Sequence, residues 1–209
     1  MEKFAVLQSA ATSEMRTQRR PDMLTIPNLL TLLRLLLIPF FIYASIRDAF
    51  TAAFVLFVSA ALTDILDGFI ARQFDQRSRI GALLDPAADK AMMLCGYLFY
   101  TFSSDVPVRI PGWLTFTVFI RDFMIVLFAY LFYTRVHVKK FPPSWAGKAS
   151  TVLQAATLAT AIGVNAFVPG LRSLLELLFR ATAVVTLFSG WHYLHRGKKL
   201  LEDGLRAAA

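Results

Sequence analysis

Four aspartates, Asp64, Asp67, Asp85 and Asp89, fall within the stretch LTDILDGFIARQFDQRSRIGALLDPAADK, with long apolar sequence on both sides. Asp64 and Asp67 are three positions apart and Asp85 and Asp89 four, so on helices each pair shares a face. Gly68 and Ala71 lie on the first of those faces and Gly81 on the second. Carboxylates crowded beside apolar spans repel one another and lose hydration, so they are either protonated or neutralised by cations. Two divalent ions would balance the four charges. Hard oxygen donors with no Cys or His nearby select Mg²⁺, Mn²⁺ or Ca²⁺ over zinc. A pair of such ions clamps both oxygens of an in-line phosphoryl displacement. The small residues on the acidic faces let a phosphate or nucleotide approach the helix backbone, and Arg72, one turn beyond Gly68, can hold a phosphate with two parallel hydrogen bonds.

Other readings of the same residues exist. Glycine and alanine at helical spacing also serve as packing surfaces in membranes, and carboxylates near spans mark ion paths in cation or proton transporters. A transporter predicts acidic residues spread through the membrane depth, whereas these cluster at one end.

Helices must carry these groups. The chain has 209 residues, 56% of them hydrophobic and only 17% charged, with repeated apolar stretches near bilayer length, which is the profile of an all-α integral membrane protein. Six transmembrane helices are expected, at about 29–46, 49–70, 81–102, 113–133, 147–168 and 174–193, bracketed by a cytoplasmic or interfacial tail at 1–24 and a short cytoplasmic tail at 200–209. The membrane domain is placed at 25–199. Proline and glycine mark the breaks in SSDVPVRIPG and KKFPPSWAG. The first residues lack the apolar core and cleavage site of a secretory signal.

Lys and Arg number 22 against 14 Asp and Glu, a net charge of +8, and they flank apolar spans instead of forming a patch, so a bilayer is the expected partner and nucleic acid is not. Arg16, Arg19 and Arg20, then Arg72, Arg77 and Arg79, then Arg135, Lys139 and Lys140, then Arg196, Lys198 and Lys199 fall on one side of a six-span topology. The positive-inside rule makes that side cytoplasmic, with both termini and the aspartates. Cys95 has no partner in the chain for a disulfide. Glu176 and Arg180, four apart, read as an ion pair on the last span.

The pattern D64-xx-D67-G68-xx-A71-R72-x8-G81-xxx-D85-xxx-D89 matches the signature of the CDP-alcohol phosphatidyltransferase family at every specified position. The segment TIPNLLTLLRLLLIP also resembles the first span of bacterial phosphatidylglycerophosphate and cardiolipin synthases. The resemblance implies a six-helix, homodimeric enzyme of the bacterial inner membrane. It would transfer a phosphatidyl group from CDP-diacylglycerol to an alcohol acceptor, with release of CMP. It further implies that Asp64, Asp67, Asp85 and Asp89 bind two divalent ions, Mg²⁺ or Mn²⁺. Asp89 would also act as the base toward the acceptor hydroxyl, and Gly68, Arg72 and Gly81 would hold the cytidine and pyrophosphate.

Three basic residues outside the motif are candidates for reading the acceptor: Arg34 in the first span, Arg121 in the fourth and Lys148 opening the fifth. Arg34 has snorkelling to the headgroups as its alternative, and Arg121 has pairing with Asp122 or with another span. Lys148, in AGKAST, resembles a position where relatives that use phosphorylated acceptors keep a basic residue, and a helix N-terminus there favours an anion. Such a cluster suits glycerol 3-phosphate, giving phosphatidylglycerophosphate. The Arg121-Asp122 pair, in FIRDFMIVLFAYLFY, resembles eukaryotic-type cardiolipin synthases and makes phosphatidylglycerol the alternative acceptor.

Overall fold

The computed structural model describes residues 26–73, 81–135 and 144–208. Among the described residues the chain is all-helical: α1 (Ile26–Ile46), α2 (Phe50–Gln73), α3 (Gly81–Phe102), α4 (Gly112–Arg135), α5 (Trp145–Ala166), a 3₁₀ turn (Pro169–Leu171) and α6 (Arg172–Ala208). A helix occurs at each of the six expected places, one starting where expected and the others shifted by one to three residues. The expected basic tail at 1–24 and the connections holding Arg77, Arg79, Lys139 and Lys140 lie outside the described residues. At the far end, α6 continues beyond the expected last span through the Lys, Leu, Glu and Arg of the tail, all good helix formers.

The turn between α1 and α2 has three residues, with Asp48 in the left-handed region (φ 56°) that aspartate tolerates better than most side chains. Its N–H donates to the Ser45 carbonyl (3.2 Å), and that of Ala49 to the Ala44 carbonyl (3.0 Å), closing the end of α1. So short a connection fixes the register of the two helices.

Two compact units emerge. The first holds α1 up to Leu37 together with Ser59–Ala91, and the second holds Ile38–Val58 with the chain from Met92 onward. Within the second unit, Phe41, Phe57, Phe50, Phe99 and Tyr100 form an aromatic cluster with ring centroids 5.4–6.4 Å apart. α3 is fixed to α5 where the Tyr97 hydroxyl donates to the Gln154 carbonyl (3.0 Å). Between α5 and α6 runs a buried polar seam. Gln154 Nε2 donates to the Ser150 and Thr186 hydroxyls (both 3.1 Å), and the Thr157 and Thr182 hydroxyls bond to each other. Ser150, Gln154 and Thr157 repeat at helical spacing, as do Thr182, Thr186 and Ser189, so each helix offers one hydrogen-bonding stripe. Near the other end, Asn165 clamps the loop before α4, accepting from the Val108 N–H (2.8 Å) and donating to its carbonyl (2.9 Å).

Large apolar side chains also face outward. Trp191 is 69% exposed and Phe123 68%, with Leu36, Phe40, Phe116, Ile120, Val184 and Leu187 also outward, while the inward seam is Ser, Thr and Gln. Such outward placement is expected where lipid replaces water as solvent, since lipid tails give apolar side chains no reason to turn inward. The architecture is consistent with a membrane protein. Among the described residues, one segment, Arg172–His195 of α6, meets the length and apolarity needed to cross a bilayer, and Thr31–Ile46 and Phe50–Asp64 form shorter apolar stretches. Glu176 pairs with Arg172 (3.4 Å), one turn before it, not with Arg180 one turn after. Exposed pairs at this spacing are worth only about 0.2–0.5 kcal/mol, so sequence spacing discriminates weakly between the two arginines.

Candidate active site

The acidic motif sits on two helix segments of the first unit. Asp64, Asp67, Gly68 and Arg72 of the motif occupy the last turns of α2, and Gly81, Asp85 and Asp89 the first turns of α3. Glycine opens α3 immediately after the connection, and no proline or further glycine interrupts α2 after Gly68. The side chains of Asp67, Gly68, Arg72, Gly81, Asp85 and Asp89 lie outside the described residues. Ala60 and Ala88, both buried in this unit, provide small surfaces along α2 and α3.

Asp64 is the described carboxylate of the motif, and it is not alone. Arg34 of α1 donates from Nη2 to Asp64 Oδ1 at 3.0 Å, and the pair is asymmetric: the arginine side chain is 1% exposed and the aspartate 40%. Arg34 therefore does not snorkel toward headgroups. It is held inside, next to buried Thr31, with its charge balanced by a motif carboxylate. The oxygen-only donor chemistry of the motif residues suits a hard divalent cation, although among the described residues no three acidic, His or Cys side chains come together, and Asp64, partly exposed, is held by the Arg34 guanidinium.

In the second unit, Arg121 of α4 is 6% exposed and spans three helices. Its Nη1 donates to Asp122 Oδ1 (2.8 Å), and its Nη2 donates to the Ser189 hydroxyl of α6 (2.7 Å) and to the Gly147 carbonyl of α5 (3.3 Å). The guanidinium lies 6.0 Å from the centre of the Tyr193 ring. The sequence alternative for Arg121, pairing with Asp122 and with another helix, is thus what the structure contains.

Lys148 lies in the first turn of α5 and is exposed. That helix starts two residues earlier than expected, at Trp145, because Ser144 caps it: its hydroxyl accepts from the Gly147 N–H (3.1 Å). A serine directly after two prolines was the signal for this start. Ser189 and Tyr193, the α6 partners of this corner, carry no local signal of their role.

A family model described as CDP-alcohol phosphatidyltransferase matches residues 24–189, which includes the whole acidic motif, Arg34, Arg121 and Lys148. The chain belongs to the CDP-alcohol phosphatidyltransferase family. Chains of this family carry out phosphatidyl transfer in phospholipid synthesis, are typically membrane-bound and generally depend on a divalent metal. Similar proteins include the human cardiolipin synthase (CMP-forming), 33% identical over 196 residues that cover 85% of this chain and 63% of the relative. The rat cardiolipin synthase shows the same coverage at 32% identity, so the chain spans a little under two thirds of the length of these relatives. A CDP-diacylglycerol–glycerol-3-phosphate 3-phosphatidyltransferase from Aquifex aeolicus is 32% identical over 85% of this chain and 98% of the relative.

Proposed function

We propose that this chain transfers a phosphatidyl group from CDP-diacylglycerol to an alcohol and releases CMP, with glycerol 3-phosphate as the acceptor that forms phosphatidylglycerophosphate. The observation that carries the reading is the full acidic motif on the end of α2 and the start of α3, within one compact unit and within the family match.

In this reading Asp64, Asp67, Asp85 and Asp89 hold two divalent ions, Mg²⁺ or Mn²⁺. When bound, these ions supply positive charge that offsets the charge on the phosphate oxygens. Gly68 and Gly81 let the cytidine and pyrophosphate lie against the helix backbone, and Arg72 binds phosphate oxygens. Asp89 accepts the proton of the acceptor hydroxyl. The hydroxyl oxygen attacks the phosphorus that bears diacylglycerol, the bond from that phosphorus to the bridging oxygen breaks, and the pair of electrons leaves with CMP. Arg34, buried against Asp64, orients that carboxylate.

Of the three basic residues considered for the acceptor, Lys148 is the exposed one, at a capped helix N-terminus that favours an anion. Arg34 and Arg121 hold protein groups instead. Helices of 21–24 residues in α1 to α5, together with the apolar exterior, support six spans in a cytoplasmic membrane, with termini and site on the cytoplasmic side. The family resemblance supports a homodimer.

Phosphatidylglycerol is the second acceptor, giving cardiolipin, because identity to cardiolipin synthases (32–33%) equals that to the Aquifex glycerol-3-phosphate enzyme (32%). Purified protein given CDP-diacylglycerol, Mg²⁺ or Mn²⁺ and, separately, glycerol 3-phosphate, phosphatidylglycerol, inositol phosphate or serine distinguishes these by CMP release. Release with glycerol 3-phosphate is expected. Absence of release with every acceptor would sink the enzyme reading, and release with phosphatidylglycerol alone would move it to cardiolipin synthesis.

A further inference from the structure

The first turn of α5 is held more firmly than a helix start requires. Helix N-termini leave four N–H groups without intrahelical partners and fray accordingly. Here the Ser144 N–H donates to the Tyr193 hydroxyl (3.2 Å), the Gly147 N–H to the Ser144 hydroxyl (3.1 Å) and the Lys148 N–H to the Ser144 carbonyl (3.2 Å). The Gly147 carbonyl accepts from Arg121 Nη2 (3.3 Å) and from the Thr151 hydroxyl (3.1 Å). Arg121 and Tyr193, which grip this turn from α4 and α6, also lie against each other.

Gly147 is where the backbone comes closest to that grip. A Cβ there would stand 3.0 Å from the Tyr193 ring edge and hydroxyl and 3.2 Å from the Ser144 hydroxyl, so a side chain at this position requires the ring or the turn to give by a few tenths of an ångström. Arg121 has its charge matched by Asp122 through Nη1, shares Nη2 between Ser189 and Gly147, and keeps a buried Nε without a hydrogen-bond partner. It fits a clamp better than a ligand contact. Lys148, one residue beyond Gly147, is exposed on a long flexible stem, and such a lysine discriminates between ligands only if its backbone is fixed.

We propose that Arg121, Gly147 and Tyr193 are positioning residues for the acceptor: together they set the α5 turn so that Lys148 meets the acceptor's phosphate in one place. The inference rests on the reading of Lys148 as the acceptor contact. It assigns no role to these residues in binding CDP-diacylglycerol.

The test measures KM for the acceptor, using whichever of glycerol 3-phosphate and phosphatidylglycerol supports CMP release, and separately KM for CDP-diacylglycerol. Lys148→Met should raise the acceptor KM by about tenfold or more. Tyr193→Phe keeps the ring and removes one hydrogen bond, and should raise the acceptor KM by about three- to tenfold with the donor KM unchanged. Gly147→Ala should raise the acceptor KM in the native background and much less in a Tyr193→Leu background, where the ring edge is gone.

If Lys148→Met leaves the acceptor KM unchanged, the acceptor reading of Lys148 fails and this inference falls with it. If Lys148→Met raises it while Tyr193→Phe does not, or if Tyr193→Phe raises both KM values equally, the positioning role alone is overturned. Additive effects of Gly147→Ala and Tyr193→Leu would likewise overturn it.

Discussion

Asp64→Asn should destabilise the protein far more than Arg34→Met, although both remove the same ion pair. The contact is 3.0 Å, between a guanidinium that is 1% exposed and a carboxylate that is 40% exposed. At that distance and an effective dielectric near 20 the gross attraction is about 5–6 kcal/mol, most of it cancelled by the desolvation of the buried partner. Asn keeps the shape of Asp64 but withdraws one negative charge from a cation that is 1% exposed, a change that costs about 3–5 kcal/mol. Met removes the buried charge itself and leaves a carboxylate that water can reach, at a cost of about 1–2 kcal/mol. Relief of repulsion from Asp67, three positions along the same helix, offsets only about 0.2–0.5 kcal/mol and does not reverse the order.

For a chain of this size about 2–4 °C of melting temperature corresponds to each kcal/mol, so the Asn variant should melt about 6–20 °C below the parent and the Met variant about 2–8 °C below. The measurement is thermal unfolding in detergent followed by tryptophan fluorescence, with EDTA present so that bound divalent ions do not contribute. An equal fall in both variants, or a larger one for Arg34→Met, refutes the argument that the buried arginine depends on the charge of Asp64.

Asp89→Asn should reduce CMP release by at least about 10²-fold while elution and melting temperature stay close to the parent, and near-normal turnover would remove Asp89 from the proton transfer. Chelation with EDTA should abolish CMP release and Mg²⁺ or Mn²⁺ should restore it. In Asp67→Asn and Asp85→Asn the metal concentration for half-maximal activity should rise by about tenfold or more, and an unchanged requirement would count against these carboxylates as ligands. Asn165→Ala strips the buried Val108 N–H and carbonyl of their partners and should lower the melting temperature by about 5–12 °C with both KM values little changed. A loss of acceptor affinity as large as that from Lys148→Met would contradict its purely structural place.

The helices were legible because proline and glycine interrupt them at recognisable points and because long apolar runs persist between those points. The acidic motif was legible for a related reason: its residues lie close together in sequence, and helical periodicity alone puts each pair on one face. Where expectation and structure part, the cause is contact between distant helices. Arg34 offered snorkelling or substrate contact as readings, and its burial against Asp64 is a contact between residues thirty positions apart. Ser144 lies 49 positions from Tyr193, and Arg121 68 positions from Ser189, and neither pairing leaves a trace in local composition.

By itself, then, the sequence determined the family, the oxygen-donor chemistry and the helix segments that bear it, because donor type and spacing along one helix are local quantities. Only the tertiary structure decided which faces turn inward and which cations guard which groups. In a soluble helix an apolar stripe would announce the buried face. Here large apolar residues cover the exterior and serine, threonine and glutamine line the seam of α5 and α6, so the orientation follows from hydrogen bonds that close only when the helices meet.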